Sequence, residues 1–253
     1  MAESNYDFPT EVITLPSEGK AYPESNPLSK GTVEIKYMTA KEEEILASQN
    51  LIKKGVVLDK LFESIIVEKD INIDDILLGD KNAIMLATRI LAYGPKYEVD
   101  TYGATEEKER VTIDLSSIQT KDIDISKLKR DNRYDFTTPS GTKLVIKLLT
   151  HGDEGKIDAD IKALSKFNKG GVSADLTTRY RYMIQSVDGK EDMKSITDFI
   201  NNKFVTRDTR ALREYIKTIS PDIVMEYEYE DPETGEKEVR PIPMGVGFFY
   251  PSI

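Results

Sequence analysis

The only histidine of the chain, His151, stands two residues before Asp153 and three before Glu154. A histidine beside carboxylates can act as a general base or a metal ligand. A zinc or non-haem iron site needs several such ligands, but the chain has no second histidine and no cysteine. We therefore favour a helix that begins at Gly152 or Asp153, with His151 just ahead of it, over a catalytic or metal-binding role.

A second acidic segment, "DINIDD", has the alternating oxygen ligands with which a calcium loop opens, at Asp70, Asn72 and Asp74. Such a loop also requires glycine at its sixth position and glutamate at its twelfth. Asp75 and Lys81 occupy those positions. The segment is therefore interpreted as an acidic, capped loop between two helices.

Phosphate-binding and nucleophile motifs are equally incomplete. In "HGDEGK" two residues separate the glycines where a phosphate loop needs four, and "GVGFFY" lacks the third glycine of a dinucleotide fingerprint. No Gly-x-Ser-x-Gly occurs, and the abundant carboxylates single out no acid–base pair. We predict no catalytic residues, no cofactor, no metal and no small-molecule substrate.

Arginine and tyrosine are mixed in two segments near the end of the chain. "TRYRYMI" contains Tyr180 and Arg181, and Arg207, Arg210 and Arg213 recur every three residues in a predicted helix. Such mixtures bind nucleic acid or proteins. The chain has 45 acidic and 35 basic residues and a formal charge of −10, which repels phosphate backbones. A protein contact is favoured, and nucleic-acid binding is the alternative.

The C-terminal aromatic cluster consists of Phe248, Phe249, Tyr250 and Pro251. Chain ends fray unless they are tied down, and adjacent aromatic side chains are poorly placed in water. Two interpretations stay open. The cluster docks on the protein's own sheet, or it anchors a partner.

The elements that position these residues follow from periodicity. Residues 1–30 are rich in Pro, Ser, Gly and Asn, which predicts an extended segment with little core of its own. "GTVEIKYM" alternates like a half-buried strand. Thr39 and Glu42 then form a capping box at a helix start. Helices follow over "VVLDKLFESIIVE" and over "KNAIMLATRILAY", the latter capped by Asp80 and stopped by Gly94.

The second half combines hairpins and helices. Residues 95–150 are predicted to be mostly strand, in two hairpins, and "DPETGE" to be the turn of a third. Helices are predicted near 152–168, 174–187, 191–203 and 207–219. The fold class is α+β, with a mixed or antiparallel sheet region and helices segregated before and after it. The predicted segments are an extended stretch 1–30, an α+β domain 31–150, and a helical region 151–253 with a hairpin and an aromatic tail.

The start of the chain and the absence of long apolar runs bear on its location. "MAESNYDFPTEV" is polar and acidic, unlike a signal peptide, and no apolar run approaches the roughly 20 residues that cross a bilayer. Without cysteines there are no disulfides. We expect a protein that is made and used in the cytosol, without a membrane partner.

Four segments together resemble the T-even-type bacteriophage baseplate protein family. They are "LPSEGKAYP", "GTVEIKYMTAKEEEIL", "LTHGDE" and the ending "FFYP", and they occur in the family's order over nearly the whole chain. The matching positions are Gly19, Tyr22, Met38, Thr39, Glu42, His151, Gly152, Asp153, Phe249 and Pro251, with Tyr250 where the family has Trp. Some relatives carry cysteine pairs of zinc-ribbon type in the middle hairpin. Residues 95–115 hold none, so packing alone must support that hairpin here.

The resemblance implies a non-enzymatic structural or assembly component of the baseplate hub of a contractile tail. Its partners would be other baseplate or tail proteins, and it would be assembled in the host cytoplasm and located in the virion. The alternatives are an assembly chaperone absent from the virion, a cell-wall hydrolase and a nucleic-acid-binding module. "LPSEGKAYP", stiffened by prolines and turned by Gly19, is then a docking segment, ordered or disordered in the isolated chain. Candidate interface residues are Gly19, Tyr22, Met38, Tyr180, Arg181, Arg210, Phe248, Phe249, Tyr250 and Pro251.

Overall fold

The computed structural model describes residues 9–102, 108–165, 174–232 and 234–249. Its α-helices are α1 (Ala40–Ala47), α2 (Gln49–Lys54), α3 (Val57–Ile65), α4 (Leu78–Tyr93), α5 (His151–Ser165), α6 (Asp175–Met183), α7 (Met193–Asn202) and α8 (Thr206–Ile219). Its strands are β1 (Thr10–Thr14), β2 (Thr32–Lys36), β3 (Lys96–Tyr102), β4 (Lys108–Asp114), β5 (Tyr134–Thr137), β6 (Lys143–Ile146), β7 (Ile184–Val187), β8 (Glu226–Glu230) and β9 (Lys237–Pro241). The α+β class is confirmed.

The strands form four small antiparallel sheets, where the sequence predicted one sheet region. Three are two-stranded (β1–β2, β3–β4 and β8–β9), and β5, β6 and β7 form a three-stranded sheet. The three predicted hairpins are present. The segment between β4 and β5 contains short 3-10 turns in place of the predicted strand, and α5 to α8 lie between the second hairpin and the third. Separate sheets also contact each other through side chains: the Tyr229 hydroxyl of β8 donates to the Glu109 carboxylate of β4 at 2.9 Å.

The helix predicted over 174–187 is too long. α6 ends at Met183, and the next four residues form β7, which pairs with β6. Ile184 and Val187 are buried there, so the apolar residues that suggested another helical turn belong to a strand. A sheet edge left open by β6 outweighs local helix propensity. The pairing also joins the segments on both sides of residue 150 into one sheet.

Residues 9–30 contribute more to the core than the sequence predicted for the extended segment 1–30. β1 pairs with β2 along five residues. Beyond β1, Leu15, Ala21, Tyr22 and Leu28 are buried in the same hydrophobic core that includes Phe249 near the other end of the chain. Prolines and glycines in this segment shape a packed loop rather than an unstructured leader.

Two helix starts test the capping predictions. Glu42 accepts a hydrogen bond from the Thr39 amide at 2.8 Å, as expected for the capping box of α1. Asp80, by contrast, does not cap α4. The helix begins two residues earlier, at Leu78, and places Asp80 in its first turn, where the helix dipole favours a carboxylate.

Within the described ranges, no helix is both long enough and apolar enough to cross a bilayer.

Candidate interaction surface

The loop "LPSEGKAYP" is fixed against its own chain. Glu18 and Gly19 both have positive φ angles, 48° and 73°. A Cβ atom on Gly19 would lie 2.4 Å from the carbonyl oxygen of Ser29, so glycine is required by the close approach as well as by the backbone conformation. The loop is therefore folded tightly onto the segment that leads into β2.

The buried carboxylate of Asp80 fixes this loop through hydrogen bonds. Asp80 accepts hydrogen bonds from the amide and the hydroxyl of Ser17, at 2.9 and 2.7 Å, and from the hydroxyl of Tyr22 at 2.5 Å. The Tyr22 oxygen in turn accepts from the Leu77 amide at 2.9 Å. Burial raises the pKa of Asp80, although these donors oppose the effect. Burial and the neighbouring Asp80 raise the pKa of Tyr22.

This arrangement corrects two of the candidate interface residues. Tyr22 is only 3% exposed, and Gly19 is buried under the loop that it turns. Both residues stabilise the protein's own fold, because their partners lie inside the chain. Met38 is half-buried and packs against the core.

For Phe248 and Phe249, the structure decides between docking on the protein itself and anchoring a partner. Phe248 and Phe249 are fully buried, and the Phe248 ring meets Tyr97 of β3 edge-on, with 5.0 Å between centroids. The side chain of Arg89 on α4 donates to the Phe248 carbonyl oxygen at 3.1 Å. The two phenylalanines thus dock on the protein itself. Tyr250 and Pro251 lie outside the described residues.

His151 is the first residue of α5, one position earlier than predicted. Its Nε2 atom is 2.8 Å from the Asp59 carboxylate of α3, and its ring meets Phe62 edge-on. Its Nδ1 atom is buried and has no partner among the described residues. No group of three or more potential metal ligands occurs in the described part of the chain. In the calcium-like segment, the Asn72 side chain instead accepts from the Asp74 amide.

The arginine-containing helices meet each other. The guanidinium of Arg213 on α8 donates to the hydroxyl of Tyr180 on α6 at 3.1 Å. The Tyr180 ring is buried and packs edge-on against Phe204, which follows α7. Tyr180 was a predicted interface residue. Its buried ring instead orients Arg213 through this hydrogen bond.

Four guanidinium groups on these helices carry charge that no carboxylate of the described chain neutralises. Arg181 bonds to the Thr178 hydroxyl at 3.0 Å, Arg207 to the Ser140 hydroxyl at 3.0 Å, and Arg213 to Tyr180. Arg210 is exposed and makes no ion pair or hydrogen bond to a described residue. We call these four residues, Arg181, Arg207, Arg210 and Arg213, the arginine surface.

Packing on the inner side of α8 determines which way the arginines point. Asp208 and Leu212 are fully buried on the core face of this helix. Asp208 accepts the Ser140 amide at 3.1 Å, which joins the turn between β5 and β6 to the first turn of α8. The opposite face, with Arg210 at its centre, is left to solvent.

Two large apolar side chains close to these arginines in the sequence are exposed. Leu176 lies one helical turn before Tyr180 and is 56% exposed, and Val205 lies next to Phe204 and is 51% exposed. Arginine beside exposed apolar side chains is the composition of a protein contact, whereas phosphate recognition relies on polar and basic groups. The surface thus offers positive charge and exposed apolar area, the groups that complement an acidic partner with apolar side chains.

Comparison with known proteins gives no relative to reason from: no protein-family description, curated protein or solved structure matches this chain.

Among the ten predicted site residues, the structure places Tyr180, Arg181 and Arg210 on two adjoining helices and moves Gly19, Tyr22, Phe248 and Phe249 into the interior. Arg207 and Arg213 were recognised from their three-residue spacing around Arg210 but were not among the ten candidate residues. The sequence analysis missed the role of Asp80, which no local pattern reveals.

Proposed function

We propose that the protein is a non-enzymatic structural or assembly component of the baseplate hub of a contractile phage tail. It acts by protein–protein contacts with other baseplate or tail proteins, and it reaches the virion baseplate after assembly in the host cytoplasm. Four segments resemble the T-even-type baseplate family and occur in the family's order along the sequence, which supports the assignment to a phage baseplate. The arginine surface supports action through protein–protein contacts.

The arginine surface is the main support for a role in binding other proteins. In a chain with a formal charge of −10, α8 bears four basic and two acidic side chains, and one of those two acids, Asp208, is buried. Charge of opposite sign to the rest of the molecule steers a partner to one face and sets its orientation. Arginines that are held by neutral hydroxyl groups can exchange these bonds for bidentate bonds to carboxylates without losing an existing ion pair.

The permanent hub subunit and the transient assembly chaperone make the same contacts and differ in their fate. Tagged protein is captured from infected cells, and purified virions are analysed in parallel, both by mass spectrometry. A hub subunit is captured with tail proteins and is present in virions. An assembly chaperone is captured with tail proteins and is absent from virions. Capture without any tail protein would contradict both.

A further inference from the structure

An apolar cavity of about 200 Å³ opens beside the arginine surface. Its floor comes from the start of α4 and from the segment after β6, and its wall from the ends of α6 and α8. Six of the lining residues define it: Leu77, Leu149, Met183, Ile216, Ser220 and Asp222. Because Met183, Ile216, Ser220 and Asp222 are only partly buried, the cavity is accessible from the surface.

The cavity continues the seam between α6 and α8. Tyr180 and Arg213 bond across this seam, and Met183 and Ile216, each three residues further along its helix, both line the cavity. Three residues of α-helix advance about 4.5 Å along the axis. The charged groups and the cavity therefore lie within the reach of one short peptide segment.

Size and lining indicate what the cavity can hold. Pockets for cofactors and drug-sized ligands enclose about 300–1,000 Å³, whereas an apolar cavity of about 150 Å³ accepts a benzene molecule. A volume of about 200 Å³ thus matches one large apolar side chain. At the rim, Oδ1 of Asp222 accepts hydrogen bonds from the Asn82 side chain and the Ile223 amide, so this oxygen is satisfied within the protein.

We propose that this cavity receives one large apolar side chain, of the size of phenylalanine, from an acidic partner segment whose carboxylates lie on the arginine surface. The inference rests on the proposed function, because it specifies the chemistry of the partner at that same surface. An apolar anchor in a pocket with charged groups around it is the usual arrangement of an energetic hot spot in a protein interface. A nucleic acid would leave the cavity unused.

The test uses two fluorescein-labelled peptides, EEEFEEE and EEEAEEE, titrated with the full-length protein and followed by fluorescence anisotropy. The phenylalanine peptide is expected to bind at least about tenfold more tightly, since one aromatic ring becomes buried. Added salt weakens both peptides through loss of the charge contacts. The variant Met183→Trp, which fills the cavity, should abolish the difference between the peptides.

The matched control is Met193→Trp, because Met193 is 60% exposed on α7 and does not line the cavity. It should keep the full difference. If Met183→Trp does not fold, Ser220→Trp fills the cavity from its rim instead. Equal affinity for the two peptides, binding of neither, or tighter binding of a labelled oligothymidine than of the phenylalanine peptide would overturn the inference. These peptides involve no phage protein, so their failure leaves the proposed function to the capture experiment.

Discussion

The hydroxyl of Tyr22 donates a 2.5 Å hydrogen bond to the carboxylate of Asp80, which lies 58 residues further along the chain. This bond joins a proline- and glycine-rich loop near the N-terminus to the first turn of α4. Together with the two bonds from Ser17, it fixes a loop whose sequence suggested a docking segment. The loop is a structural part of the protein, and the arginine surface lies elsewhere, on α6 and α8.

Removal of the Tyr22 hydroxyl should destabilise the fold. Tyr22→Phe deprives the buried Asp80 carboxylate of one donor and the Leu77 amide of its acceptor. We expect the free energy of unfolding in urea to fall by about 1.5–3 kcal/mol. Tyr37→Phe is the control, because the half-buried Tyr37 hydroxyl bonds to none of the described residues. Similar losses for the two variants would show that the bond to Asp80 is unimportant.

A pair of glycine variants separates backbone strain from steric overlap. Gly19 and Gly141 both have positive φ angles, 73° and 91°, but a Cβ atom at Gly141 would contact nothing within 4 Å. Gly141→Ala should lower the free energy of unfolding by about 1–2 kcal/mol through its backbone conformation alone. Gly19→Ala should cost about 2–5 kcal/mol, because it also overlaps the Ser29 carbonyl. Equal losses in thermal or urea unfolding would contradict the close packing of this loop.

Glu42 should make stability depend on acid pH. Burial alone would raise its pKa, but hydrogen bonds from Lys36, Ser64 and Thr39 outweigh that effect and lower it to about 2. Because the folded-state pKa is below the ordinary value of 4.5, ionised Glu42 stabilises the fold above that pH. This contribution is lost as the pH falls from 4.5 towards 2.

The corresponding experiment compares Glu42→Gln with the wild type at several pH values. At pH 7 the variant should be less stable by about 3 kcal/mol, and the difference should shrink below pH 4.5 and vanish near pH 2. Glu43→Gln, which changes an exposed neighbour, should show no such trend. A difference that stays constant from pH 7 to pH 2 would mean that the charge of Glu42 contributes nothing.

Local patterns predicted much of the fold. The strand and capping box around Thr39, the apolar face of α3 and the three hairpins each depend on residues close together in sequence, and the structure contains them. The three-residue spacing of Arg207, Arg210 and Arg213 likewise indicated a charged helix face. These features follow from local periodicity and turn chemistry, and the sequence contains both.

Features that depend on distant pairings could not be predicted. β7 forms because β6 offers it an edge about 40 residues away, and Asp80 finds its donors 58 and 63 residues earlier in the chain. The cavity combines segments from Leu77 to Asp222, so no window of the sequence contains it. The docking of Phe248 against Tyr97 is of the same kind, which explains why two interpretations of the aromatic tail remained open.

If the arginine surface binds tail proteins, as we propose, reversal of the charge at Arg210 should disrupt that binding. Arg210 is exposed and contacts no described carboxylate, so Arg210→Glu should change the free energy of unfolding by no more than about 0.5 kcal/mol. Lys53→Glu, at an exposed position of α2, makes the same change of charge away from the surface. Tagged wild type, Arg210→Glu and Lys53→Glu are captured from infected cells, and tail proteins are quantified by mass spectrometry. We expect wild type and Lys53→Glu to retain the same tail proteins. Arg210→Glu should lose at least about 90% of them, because a charge contact that becomes buried in the complex contributes roughly 2 kcal/mol to binding. Equal retention by all three proteins would show that Arg210 takes no part in binding tail proteins, and the absence of tail proteins with the wild type would rule out the proposed function.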